Sequence, residues 1–128
     1  MPEGLKIWHD RAMSKIQVFG IPNCSSVKKA RLWLEQQGVP HDFHDFKKEG
    51  VKEADLQHWL SQVGWEVLLN RKGTTWRKLD ASVQQSVVDA HSASQLMLQS
   101  PSLIKRPVWV AGQRVLVGVN PEAWSNVI

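Results

Sequence analysis

The apolar positions of this chain follow two patterns. Near residue 16 and again after residue 107 they gather in short β-rich runs, as in strands of a sheet, and between them they recur at helical spacing. Ile16 to Phe19 reads as a short strand, closed by Gly20 and Pro22, whose backbone preferences turn the chain through Asn23 and Cys24. From Ser26 onward, Val27, Ala30, Trp33 and Leu34 form one stripe of an amphipathic helix, with Lys28, Lys29, Arg31 and Glu35 off it and Gly38 as the stop. Ser25 and Ser26 are its expected N-caps. His41 to Phe46 reads as a second strand, so the first third predicts a βαβ unit with a right-handed crossover.

The middle third predicts helices and no strand. Leu56, Trp59, Leu60 and Val63 keep the i, i+3, i+4, i+7 spacing, Gly64 ends the run, and Trp65 to Leu69 continues as a short helical piece. Asp80 is the expected cap of a helix through Val83, Val87 and Val88. Ser92 or Ser94 is the expected cap of another through Leu96, Met97 and Leu98, stopped by Pro101. After Pro107, VWVAGQRVLVG reads as two strands joined at Gly112-Gln113, where glycine in the first loop position suits a type II′ turn. Pro121 opens a last short helix through Trp124. The order β-α-β, helices, β-β-α predicts an α/β core in residues 15–128 with a helical insertion at about 50–102. Residues 1–14 lack periodicity and read as a peripheral extension, with Met13 as a second plausible translation start.

Composition narrows the class. A chain of 128 residues fits one domain, and 42% hydrophobic with 22% charged residues sets aside disorder, collagen and coiled coil. No apolar run approaches the ~20 residues needed to cross a bilayer, and the first twelve residues hold no signal-peptide core, so the expected location is the cytoplasm. One cysteine has no partner for an internal disulfide, in keeping with a reducing compartment.

Sixteen Lys and Arg against twelve Asp and Glu give +4, and much of the excess is clustered at Arg71, Lys72, Arg77 and Lys78 and at Lys105-Arg106. Such clusters can hold a small anion or an acidic partner. Nucleic-acid binding needs exposed aromatics along a basic groove, whereas most of the seven tryptophans fall on apolar stripes, so neither nucleic acid nor membrane is an expected partner. His41-x-x-His44 with Asp42 and Asp45 has the residue types of a metal site, but strand alternation sends positions three apart to opposite faces, and no metal is expected.

Cys24 is the candidate nucleophile. A thiol at the start of a helix, with Lys28 one turn on and Lys29 and Arg31 nearby, meets a field that lowers its pKa and favours the reactive thiolate. A cysteine can equally be a small buried apolar residue, and the residues alone leave both readings open. Arg106 would bring a planar five-donor fork toward an anion, Arg71 in the Asn70-Arg71-Lys72-Gly73 loop could be another, and Pro107 before a core strand is a place where cis and trans peptides both remain open.

Three segments together carry a resemblance: Gly20-Ile21-Pro22-Asn23-Cys24 with Lys28-Lys29-Ala30-Arg31, then LLNRKGTTWRKL at 68–79, then Leu103 to Val108. They are similar to the arsenate-reductase-related ArsC/Spx family, in its YffB-like branch, and GTTWRKL is the most specific part. The resemblance implies a thioredoxin-like mixed sheet with an inserted helical subdomain, a catalytic Cys24, a cis peptide at Pro107 and glutathione as co-substrate without a metal. Asn23, Lys28, Arg71 and Arg106 would line the substrate site.

The chain also departs from that family. Glutathione-linked arsenate reductases of this kind carry a histidine four residues before the cysteine and a serine three after it, where this chain has Gly20 and Val27. They bind the oxyanion with three arginines, of which Arg71 and Arg106 match two; the third belongs to a Gly-Arg-Pro motif, and here the stretch reads Gly118-Val119-Asn120-Pro121. Spx-type regulators use a Cys-x-x-Cys switch in binding RNA polymerase, and Val27 stands at the second position. The favoured reading is a glutathione-dependent thiol reductase or thiol-transfer enzyme acting on a small thiol, a disulfide or a protein disulfide. The alternatives are an oxyanion reductase with an impaired arsenate site and a non-enzymatic regulator that binds RNA polymerase.

Overall fold

The computed structural model describes residues 15–118 and Ser125. The proposed N-terminal extension and the helix expected from Pro121 to Trp124 lie outside the described residues. Four strands form one mixed sheet: β1 (Ile16–Gly20), β2 (His41–Asp45), β3 (Val108–Ala111) and β4 (Arg114–Val117), in the order β2-β1-β3-β4. β1 runs parallel to β2 and antiparallel to β3, and β3 pairs antiparallel with β4. A parallel pair requires a crossover, and helix α1 (Ser25–Gln36) supplies it. β-α-β, a helical insertion and a β-hairpin on one mixed sheet make the thioredoxin-like arrangement.

Alternation along β1 sorts the two faces. Ile16 and Val18 are buried on the side of α1, in a cluster with Ala30, Leu34, Val39 and Trp109. Phe19, of opposite parity, packs edge-on to Trp59 at 4.8 Å between centroids, in the cluster shared with the helical insertion. β3 serves both faces, with Val108 in one cluster and Trp109 in the other. Such double burial explains why VWV is apolar throughout. Of the tryptophans, Trp59 and Trp109 are buried, and Trp33, Trp65 and Trp76 are half-buried. Core packing accounts for them.

Helix α1 ends as its glycine requires. Gly38 at φ +68° lets its own N–H reach Glu35 O and the Val39 N–H reach Leu34 O, closing a Schellman motif with Val39 and Leu34 in one apolar cluster. In the hairpin, Gly112 has φ +64° and Gln113 does not have positive φ, so the turn is type II′, not type I′.

The insertion contains α2 (Phe46–Glu49), α3 (Glu53–Val63), α4 (Trp65–Leu68), α5 (Thr74–Arg77), α6 (Ala81–Gln85), α7 (Ala90–Gln99) and a 3-10 turn at Pro101–Leu103. Several boundaries differ from expectation, each for a local reason. β2 stops at Asp45 because its carboxylate accepts from Lys47 N at 2.8 Å and turns Phe46 into a helix. α6 ends at Gln85, short of Val87 and Val88: the Ser86 N–H is shared between Ser82 O and Val83 O, and the Val88 N–H turns to Ser92 Oγ. Asp80 occupies the α6 N-cap but makes no side-chain cap bond. Neither Ser92 nor Ser94 caps α7. Asp89 does, through a reciprocal box in which its carboxylate accepts from Ser92 N at 2.9 Å while Ser92 Oγ accepts from Asp89 N at 3.1 Å. Ser94 is buried instead and donates to His91 O. Among the described residues the insertion holds no strand, but one antiparallel bridge joins Leu69 to Ile104.

Candidate active site around Cys24

Cys24 itself, and neither serine, is the N-cap of α1. Its φ of −113° and ψ of 127° are extended, and its carbonyl accepts the first intrahelical bond, from Lys28 N at 2.9 Å. Ser25 and Ser26 already lie inside the helix. A residue at the N-cap places its side chain over the first turn, where N–H groups have no intrahelical acceptor. A serine or aspartate there would close the turn with a short bond. The sulfur of Cys24 closes no such cap, and the Val27 and Ser26 N–H groups act on it by favouring the thiolate.

Cys24 is half-buried. Burial by itself pushes its thiol up. The Val27 and Ser26 amides, followed by a hydrogen bond from Arg106 and its positive charge, outweigh this and leave the pKa below the ordinary thiol value. The first turn of α1 contains no acidic residue to oppose them.

Sheet register delivers Arg106 to this place. Phe19 pairs with Val108, so the chain just before β3 runs level with the chain just after β1, although 82 residues separate Cys24 from Arg106. The Arg106–Pro107 peptide is cis, Pro107 is buried, and its carbonyl accepts from Gly118 N at 2.8 Å. Arg106 also donates through Nη1 to Ser102 O at 3.3 Å.

The other expected site residues are less closely drawn in. Asn23 is exposed in the turn ahead of the cysteine. Lys28 is exposed too, and the cation that acts on the thiol is Arg106; what Lys28 gives the site is its backbone N–H. Arg71 is exposed, with its guanidinium 5.6 Å from the Trp65 ring centroid, and among the described residues it makes no hydrogen bond or ion pair. Its loop is nevertheless tied to the segment that carries Arg106: Asn70 N donates to Leu103 O at 2.7 Å and Lys105 N to Leu68 O at 2.8 Å. Val119, Asn120 and Pro121 lie outside the described residues.

The histidine-aspartate run has separate uses. His41 and His44 lie on opposite faces of β2, His41 against Val39 O and His44 stacked on Phe19 between Gln17 and Glu49. Asp42 meets Lys15 and Gln17, and Asp45 caps α2. Among the described residues no group of three or more histidine, cysteine, aspartate or glutamate side chains is gathered as a metal site.

The first-turn amides expected to act on the sulfur are those of Val27 and Ser26. One contact escaped the sequence reading. Gly20 faces Val27 so closely that a Cβ on it would lie 2.6 Å from Val27 Cγ2. Gly20 and Val27 are thus packed together in close apolar contact.

The candidate site is a half-buried thiol at the N-cap of the crossover helix, with an arginine from the β3 approach beside it, on a thioredoxin-like fold. The model of the ArsC family matches residues 19–127, and the chain belongs to that family. It is similar to the solved structure of a protein named YffB, with 44% identity, a TM-score of 0.83, and coverage of 88% of this chain and 97% of that one. An arsenate reductase (ArsC) related protein from Brucella melitensis is 46% identical, with a TM-score of 0.70 and coverage of 88% and 92%. The global transcriptional regulator Spx of Streptococcus pneumoniae is 29% identical over 109 residues, 84% of this chain and 80% of the regulator.

Proposed function

We propose that this protein is a thiol-disulfide oxidoreductase working through Cys24 alone, with glutathione as co-substrate. The observation that carries the reading is a single sulfur whose thiolate is favoured by two helix N–H groups and the Arg106 guanidinium, with no acid in the same helical turn.

The thiolate attacks one sulfur of a disulfide, forming a new S–S bond as the old one breaks. The leaving sulfur departs as a thiolate and takes a proton from solvent. With no second cysteine in the sequence, the mixed disulfide on Cys24 is opened by an external thiolate, that of glutathione, which forms its own disulfide and returns Cys24. Arg106 faces both the thiolate and the incoming group, and a carboxylate of glutathione fits its fork. Arg71, Lys28 and Asn23 form the outer part of the same substrate surface. The relation to Spx favours a second reading, a regulator that contacts RNA polymerase, without the Cys-x-x-Cys switch because position 27 is valine.

The experiment is intact-mass measurement after incubation with oxidised glutathione. Wild type is expected to gain one glutathionyl adduct and to lose it to reduced glutathione, while Cys24→Ser gains none. No adduct on the wild type at any pH would overturn the enzymatic reading in favour of the regulator.

A further inference from the structure

We propose that Gly20 is a positioning residue for Cys24, acting through the side chain of Val27. The inference rests on the reading of Cys24 as the working thiolate and concerns what holds its environment in place.

Gly20 is the last residue of β1, in strand register with Asp45 of β2, and its φ is not positive. Its backbone would therefore accept alanine, and the reason for glycine is space. A Cβ there would stand 2.6 Å from Val27 Cγ2 and 3.7 Å from both Val27 Cβ and Cγ1. Val27 is fully buried, so its isopropyl group is seated in the place a side chain at 20 would take.

A valine in a helix has essentially one χ1 rotamer, with about 90% occupancy, so the contact cannot be relieved by turning the side chain. Burial closes the outward route as well. The displacement passes to the Val27 backbone, three residues after the N-cap, whose N–H favours the thiolate. The strand end and the first helical turn are thus keyed together by one apolar contact, and that contact fixes a donor which the thiolate depends on. Two residues outside direct substrate reach set the reactivity of the third.

The test is the ultraviolet titration of the thiolate in wild type, Gly20→Ala, Val27→Ala and the double variant, with the adduct assay run alongside. Gly20→Ala is expected to titrate higher, with a thiolate fraction at neutral pH about threefold lower, equivalent to about half a pKa unit. Gly20→Ala/Val27→Ala is expected to titrate with Val27→Ala, because loss of the two Val27 methyls, Cγ2 above all, makes room for the new Cβ. A folded Gly20→Ala with the wild-type titration overturns the proposal, even if it melts earlier, since a merely structural glycine would change only stability. Should Gly20→Ala not fold, the double variant decides: agreement with Val27→Ala supports the proposal, and a higher titration overturns it. Wild type that takes no glutathione, with Gly20→Ala still titrating higher, supports the Gly20-Val27 coupling while removing the proposed function.

Discussion

Two helices of this protein begin in opposite ways. At α7, Asp89 and Ser92 satisfy each other's backbone donors in a closed box, and the Ser92 amide and hydroxyl hold the Asp89 carboxyl below its ordinary pKa. At α1 the cap is a sulfur with no short bond, and the same kind of N–H groups lower the pKa of a thiol. The orphan donors of a helix start are alike in both places. One set serves the fold, and the other is available to chemistry because a large, soft atom at the N-cap leaves the turn open.

The largest expected difference comes from replacing the two caps. Cys24→Ser should abolish glutathionyl capture while circular dichroism shows a folded protein, because serine is itself a good N-cap. Asp89→Ala should leave capture intact and lower the melting temperature. If Cys24→Ser unfolds the chain, the α1 start is structural as well and the contrast fails.

Next in size is Arg106→Ala. Loss of a charge-assisted hydrogen bond of about 1–2 kcal/mol should slow capture of glutathione disulfide about tenfold. A neutral disulfide should lose less, and added salt should narrow the gap between the two substrates, because partly exposed charges are screened over roughly 10 Å at 0.1 M. Equal losses for both substrates, measured by stopped-flow capture, would place Arg106 on the thiolate alone.

The smallest effect is on stability, with the same sign at both caps but a different pH window. Both groups have a folded pKa below the unfolded one, so each contributes stability that is full above the unfolded value and lost as pH falls through the folded value. For Asp89 that loss occurs below about pH 4, near the ordinary aspartate pKa. For Cys24 it occurs below about pH 8.5, so the stability difference between wild type and Cys24→Ala should grow as pH rises toward that value. Denaturant melts across this range check both windows.

Periodic features were legible in the sequence. The β-rich run at Ile16–Phe19, the stripe from Val27 to Leu34, and the Gly112 turn each express a local rule, and each became β1, α1 and the hairpin. Caps were harder, because Asn23-Cys24-Ser25-Ser26 offers four adjacent candidates and φ and ψ at Cys24 decide among them. At α7 the Asp89-x-x-Ser92 spacing was available and would have named the right cap. Arg106 could be picked out by its neighbours in sequence, but its approach to Cys24 depends on sheet register. The seat of Val27 on Gly20 is a packing contact across a turn, and nothing in a hydrophobic pattern reports it.

The central claim is that folding lowers the pKa of the Cys24 thiol. It is tested most directly by the pH dependence of alkylation with a neutral haloacetamide, compared between the folded protein and the same protein unfolded in urea. Cys24 is the sole cysteine in the sequence, so a single reaction is followed in both states. The account predicts a lower midpoint for the folded protein than for the unfolded one, with the difference reduced in Arg106→Ala. A folded midpoint equal to or above the unfolded one would contradict it.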